Sequence, residues 1–130
     1  MTQVLATIAL LVADYDEAIV FYRDKLGFSL TEDTDMGGGK RWVVVTPPSN
    51  RGALLLLAKA EGLEQRGAIG RQGGGRVMFF LETNDFRRDH ELMSARGVIF
   101  LEEPRHEAYG SVAVFADLYG NKWDLIQPKR

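Results

Sequence analysis

The chain repeats itself. An apolar run gives way to Asp14-Tyr15-Asp16-Glu17-Ala18-Ile19-Val20-Phe21-Tyr22 and then Leu26-Gly27-Phe28. About seventy residues later another apolar run gives way to Asp85-Phe86, a charged helical stretch and Arg96-Gly97-Val98. Each copy reads strand, helix, glycine stop, then more strands. A duplicated half-domain of this kind normally builds one shared cleft between its copies, so the repeat also marks where ligand-holding side chains should sit.

Composition narrows the function classes. At 130 residues, 45% hydrophobic and 26% charged, the chain fits one soluble globular domain with a modest core. A net charge of -2 and no lysine/arginine stripe exclude a nucleic-acid footprint. No apolar run reaches the ~20 residues needed to span a bilayer. The start Met1-Thr2-Gln3 lacks the pattern of a secretion signal, so a cytoplasmic location is expected. With no cysteine, disulfides, thiolate metal sites and cysteine nucleophiles are all excluded.

The first module is read over about 4–60. Residues 4–12 are nearly all apolar, as in a strand covered on both faces. Asp14 is placed to cap the following helix, with Asp16 and Glu17 in its first turn. Tyr15, Ile19, Tyr22 and Leu26 step by four, three and four residues into one apolar stripe, and Gly27 stops the helix. Strands are expected at roughly 28–33, 41–46 and 52–59, separated by Gly37-Gly38-Gly39 and by Pro47-Pro48-Ser49-Asn50. Residues 61–75, rich in glycine, read as a linker with a short helical turn. The second module runs over about 76–128. Val77 to Leu81 reads as a buried strand, and 85–96 as a helix with Phe86, Leu92 and Met93 inward. A strand follows at 98–101. A hairpin joins 111–116 to 122–126 through Asp117-Leu118-Tyr119-Gly120-Asn121, a turn suited to a positive φ. The order is βαβββ twice, an α+β fold in a single domain.

These residues resemble the vicinal oxygen chelate superfamily, which includes glyoxalase I, bleomycin-resistance proteins and extradiol dioxygenases. The first helix with Leu26-Gly27-Phe28 is similar to the family's opening module. Tyr109-Gly110 followed by Phe115-x-Asp117-x-x-Gly120-Asn121-x-x-x-Leu125 is similar to its closing one, with Leu118 where the family usually has proline. The resemblance implies two βαβββ modules curled into a half-open barrel around a cleft, and a homodimer. In the family's metal enzymes four matched positions supply His, Glu or sometimes Gln ligands. The matching positions here are Thr7, the run Leu54-Leu55-Leu56-Leu57 (Leu55 at its centre), Met78 (or Val77 with a register slip of one) and Asp124. Only Asp124 is a carboxylate, and a divalent ion usually takes three protein donors. The departure implies a metal-free small-molecule binder of bleomycin-resistance type, with no cofactor expected. The alternative is a metal-dependent lyase, isomerase or dioxygenase of the glyoxalase type, using Asp124, His106 and Glu107.

Read from the residues alone, Asp124 faces the cleft if its neighbours Trp123 and Leu125 face the helices. There it can recognise a cation, act as a base or carry a raised pKa; pairing with an arginine or simple solvation at the rim is the competing role. His106 and Glu107 sit in a charged loop as a proton-transfer pair or as solvated side chains, the latter favoured. His90, mid-helix, is expected on the solvated face. Trp42 and Tyr109 offer flat faces for a planar ligand or serve the core. Arg41 either binds an acidic group or starts a strand. The cleft candidates are therefore Thr7, Trp42, Leu55, Met78, His106, Tyr109 and Asp124. The glycine stretches lack the spacing of nucleotide loops. A third reading keeps the chain as an interaction module whose cleft is filled by its own side chains.

Overall fold

A computed structural model describes residues 2–49 and 51–129. Met1 and Asn50, named in the expected start and second connection, lie outside the described residues. The chain divides into two compact units, Met1–Ile69 and Gly70–Arg130, and the division falls inside the stretch read as a linker.

The first unit begins with β1 (Thr7–Val12). Asp14 ends the strand and caps α1 (Tyr15–Ile19), its carboxylate accepting from the Glu17 N–H at 2.9 Å. The helix widens to a π-helical stretch over Val20–Lys25, where the Leu26 N–H donates to the Phe21 carbonyl. Gly27 then reverses the chain at φ 80°. Tyr15, Ile19, Tyr22 and Leu26 are all buried, as their spacing predicts.

Three strands follow: β2 (Ser29–Gly37), β3 (Lys40–Thr46) and β4 (Leu54–Lys59), in the sheet order β1-β4-β3-β2. β1 and β4 are parallel; the other pairs are antiparallel. α1 packs on one face of this sheet, so Leu10, Val12, Val43, Val45, Leu55 and Leu57 form a sealed layer beneath it. On the other face Thr7 and Ala9 are exposed, so β1 is not covered on both faces. α2 (Gly62–Ala68) supplies the expected helical turn and buries no residue.

The second unit repeats the plan. β5 (Val77–Glu82) is followed by α3 (Phe86–Ala95), capped by Asp85 accepting from the Arg88 N–H at 3.1 Å. Then come β6 (Ile99–Phe100), β7 (Arg105–Glu107), β8 (Gly110–Ala116) and β9 (Lys122–Pro128). The order is β5-β9-β8-β6, with β7 also on β8. Under α3 lie Leu125, Trp123, Phe115 and Ala113, and the Phe79 ring meets Trp123 at a tilt, centroids 4.5 Å apart. The closing turn is tied by Asp117, which accepts from the backbone of Tyr119 and Asn121 and from the Asn121 amide. Gly120 carries the positive φ, 91°.

The structure corrects several expectations. β2 continues to Gly37, turning the expected loop at 34–40 into one long hairpin. β7 occupies part of what read as a loop, giving this unit a short extra strand. Leu92 is exposed, and its inward place is taken by His90, whose ring lies 4.1 Å from Phe100 and 5.6 Å from Phe86. The histidine is half-buried, a packing residue and not a solvated one. Phe80, in the strand read as wholly buried, is 65% exposed.

Candidate functional site

Each unit has one sheet face turned away from α1 or α3, open at its exposed residues although Val44, Thr46 and Val112 on it are buried, and register assigns every strand residue to a face, because side chains alternate. In the first unit the open face carries Thr7, Ala9 and Leu11 from β1, Leu54 and Leu56 from β4, Trp42, Val44 and Thr46 from β3, and Thr34 from β2. Trp42 is 39% exposed. The Thr31 and Thr46 hydroxyls are bonded to each other at 2.8 Å, which satisfies polar groups on an otherwise apolar wall. Leu55 does not belong here. It is buried at 4% on the α1 side, so the cleft candidates of β4 are its neighbours Leu54 and Leu56. Arg41 is also on the helix side. It pairs with Asp33 at 2.7 Å and Asp16 at 3.0 Å and lies over the Tyr15 ring, a structural clamp that also raises its pKa.

In the second unit the open face carries Phe80 from β5, Lys122, Asp124 and Ile126 from β9, Val112, Val114 and Ala116 from β8, and Arg105 from β7. Trp123 and Leu125 are buried beneath α3, so Asp124 points the other way. A cavity of about 280 Å³ opens on this side, lined by Gly75, Val77, Leu101, Glu102, Val114 and Lys122.

Its electrostatics are set by Glu102, Arg105, Lys122 and Asp124. Glu102 accepts the Arg105 guanidinium at 3.1 Å and, with its other oxygen, the Val114 N–H at 2.9 Å. Arg105 further reaches Glu107 at 3.5 Å and donates to the Tyr109 hydroxyl at 3.4 Å. Asp124 stands apart from this network. Its Oδ1 is buried with no hydrogen-bond partner among the described residues. Burial pushes the Asp124 carboxyl above the ordinary carboxylate value; Arg105 opposes the rise and Glu102 adds to it.

The remaining candidates are dispersed. His106 pairs in register with Ser111, so its side chain takes the α3 side: Nδ1 lies 2.9 Å from the Ser111 hydroxyl, and the ring meets Phe86 edge-on at 6.4 Å. His106 and Asp124 thus occupy opposite faces of one sheet. Met78 is the unpaired residue of a bulge between Val77 and Phe79, and it packs close to Gly73. Tyr109 sits at the exposed β7–β8 turn. There Gly110 has φ 149°, and an added Cβ would lie 2.2 Å from the Gln127 carbonyl oxygen, which is why glycine follows the tyrosine.

Glu102, Arg105, Lys122 and Phe80 were missed. The first two read as part of a charged loop, and no local pattern marks them, because Arg105–Glu107 becomes a strand only through its pairing with β8. The donor chemistry does not fit a divalent ion. Thr7 stands directly across from Leu54, and Met78 offers only a thioether. No group of three His, Asp or Glu side chains placed to hold a metal occurs among the described residues.

The chain has known relatives in sequence and in fold. The family model of the Glyoxalase/Bleomycin resistance protein/Dioxygenase superfamily matches residues 4–125. An uncharacterized protein of Shewanella frigidimarina is 55% identical over 128 residues, covering 98% of this chain and 95% of that one. Among solved structures, UcmS2 superposes with a TM-score of 0.83 at 30% identity, covering 97% of this chain and 98% of its own. TnmS3, an antibiotic-binding protein from Streptomyces sp. CB03234, gives 0.80 at 27% identity, covering 99% and 98%.

Proposed function

The chain belongs to the Glyoxalase/Bleomycin resistance protein/Dioxygenase superfamily, and from that premise we propose that it is a metal-free small-molecule binder of bleomycin-resistance type. One observation carries the reading. At the four positions matched to the metal ligands of related enzymes the chain presents Thr7, a run of leucines, Met78 and Asp124, with one carboxylate among them. A wall of apolar side chains with few polar groups is how an organic ligand is held; a cation with a tightly bound shell needs the reverse. The likeness to TnmS3, named for binding an antibiotic, supports the same reading. The binder acts by sequestration, so no residue is assigned a catalytic role. In the first unit the proposed ligand contacts are Thr7, Trp42, Leu54 and Leu56; in the second they are Asp124 and Phe80 on the open face and Tyr109 at the β7–β8 turn.

The test is elemental analysis of purified protein after exposure to nickel, zinc, manganese and iron and removal of the excess. Sub-stoichiometric metal in every case is the expected result. Near-stoichiometric retention of any one of them would overturn the metal-free reading and bring the lyase, isomerase or dioxygenase alternative forward.

A further inference from the structure

We propose that the open face of the second sheet recognises an organic cation, an alkylammonium or amidinium group on an apolar body, held between the Asp124 carboxylate and the ring of Phe80. The inference rests on the small-molecule reading above and names the chemistry of its ligand.

The two side chains are brought together by register. Phe80 and Asp124 are direct partners in the parallel β5–β9 pair and therefore share a face. A phenylalanine 65% exposed at the centre of a strand whose neighbours pack inward is an unsatisfied apolar surface. Beside it stands a carboxylate with one buried oxygen and no hydrogen bond to either oxygen among the described residues. Such a carboxylate has lost water on one side and gained no donor in return, so it profits more from an incoming cation than a fully hydrated one does. Arg105 acts on Asp124 at a distance and makes no hydrogen bond to it: its Nε is bonded to Glu102 and its Nη1 to Glu107 and Tyr109.

Ligand charge follows from the neighbours. Glu102 and Arg105 offset each other through their ion pair, so the charges left on this face are Asp124 and Lys122, two residues apart on β9. A cation beside Phe80 meets the carboxylate that stands in register with that ring, and an aromatic face with a carboxylate is the arrangement that favours ammonium groups. The body of the ligand has a place as well: Val77, Leu101 and Val114 line the cavity of about 280 Å³ that lies on this face. That volume suits a single ring or a short chain.

Three probes of one shape and different charge test this: phenethylamine (an ammonium at pH 7), 2-phenylethanol and phenylacetate. Each is titrated into the full chain while the backbone amide signals of β5 and β9 are followed by NMR. The ammonium is expected to shift Phe80 and Asp124 saturably, with the neutral alcohol roughly tenfold weaker, the size of one charge-assisted contact. Asp124→Asn should abolish the preference, and Phe80→Leu should weaken ammonium binding. If Asp124→Asn fails to fold, the wild-type preference for ammonium over alcohol decides alone. Equal binding of amine and alcohol would overturn the cation proposal and leave the small-molecule reading standing. No shift from any probe would overturn the cation proposal, and a broad ligand screen would then decide the wider reading. Signals that respond to protein dilution and not to amine would mean that a second copy covers Phe80, which also overturns it.

Discussion

Asp124 is the residue whose chemistry depends most on its surroundings. Burial raises its pKa, so the folded protein binds this proton more tightly than the unfolded chain does. The resulting stabilisation is complete below the ordinary carboxylate value and is lost as pH rises through the raised folded value. Asparagine does not titrate. The difference in melting temperature between Asp124→Asn and wild type should therefore move in favour of the variant between pH 4 and pH 7, and a flat difference would show that the carboxyl is hydrated. The position of Asp124 was legible because Trp123 and Leu125 flank it and strands alternate. The positions of Leu55 and His106 were not. A leucine run carries no alternation to set its phase, and a shift of one residue moves a side chain to the other face. For His106 the missing information was that Arg105–Glu107 is a strand at all.

At the level of elements, the helices were readable because their ends and stripes are encoded locally. Asp14 caps α1 through the Glu17 N–H at 2.9 Å, so Asp14→Ala should cost about 1 kcal/mol, or roughly 4 °C in melting temperature. Asp14→Asn should recover most of it, since asparagine also caps; equal losses for both, by thermal unfolding, would remove the cap as the cause. The glycine stop and the buried stripe around it were legible for the same reason. The short strands were not. β6 has two residues and β7 three, and β7 is built from Arg105, His106 and Glu107, which carry no strand propensity. What makes them strands is the partner β8, a tertiary cause invisible to a local pattern. Leu92 lost its inward place to His90 in a similar way. The aromatic neighbours Phe86 and Phe100 select a flat ring, and hydrophobicity alone does not report that.

For the whole molecule, the sheet edges differ in how they are guarded. β2 is terminal in the first sheet and carries Glu32, Asp33 and Asp35, charges that discourage another strand from adding. β1, terminal on the opposite side, has no charged residue, and Val4 and Leu5 just before it are 79% and 73% exposed. β5 is likewise terminal in the second sheet, but its exposed Phe80 projects from the sheet face beside Asp124 and not from the edge. An unguarded apolar edge such as that of β1 is normally covered by another strand or another copy. A homodimer follows as the expected assembly. Sedimentation velocity at micromolar concentration should give a mass near twice 14.5 kDa, and Leu5→Asp should shift the population toward monomer without lowering the content of secondary structure. A wild-type sample that stays monomeric would refute the dimer. A dimer indifferent to Leu5→Asp would place the contact away from the β1 edge.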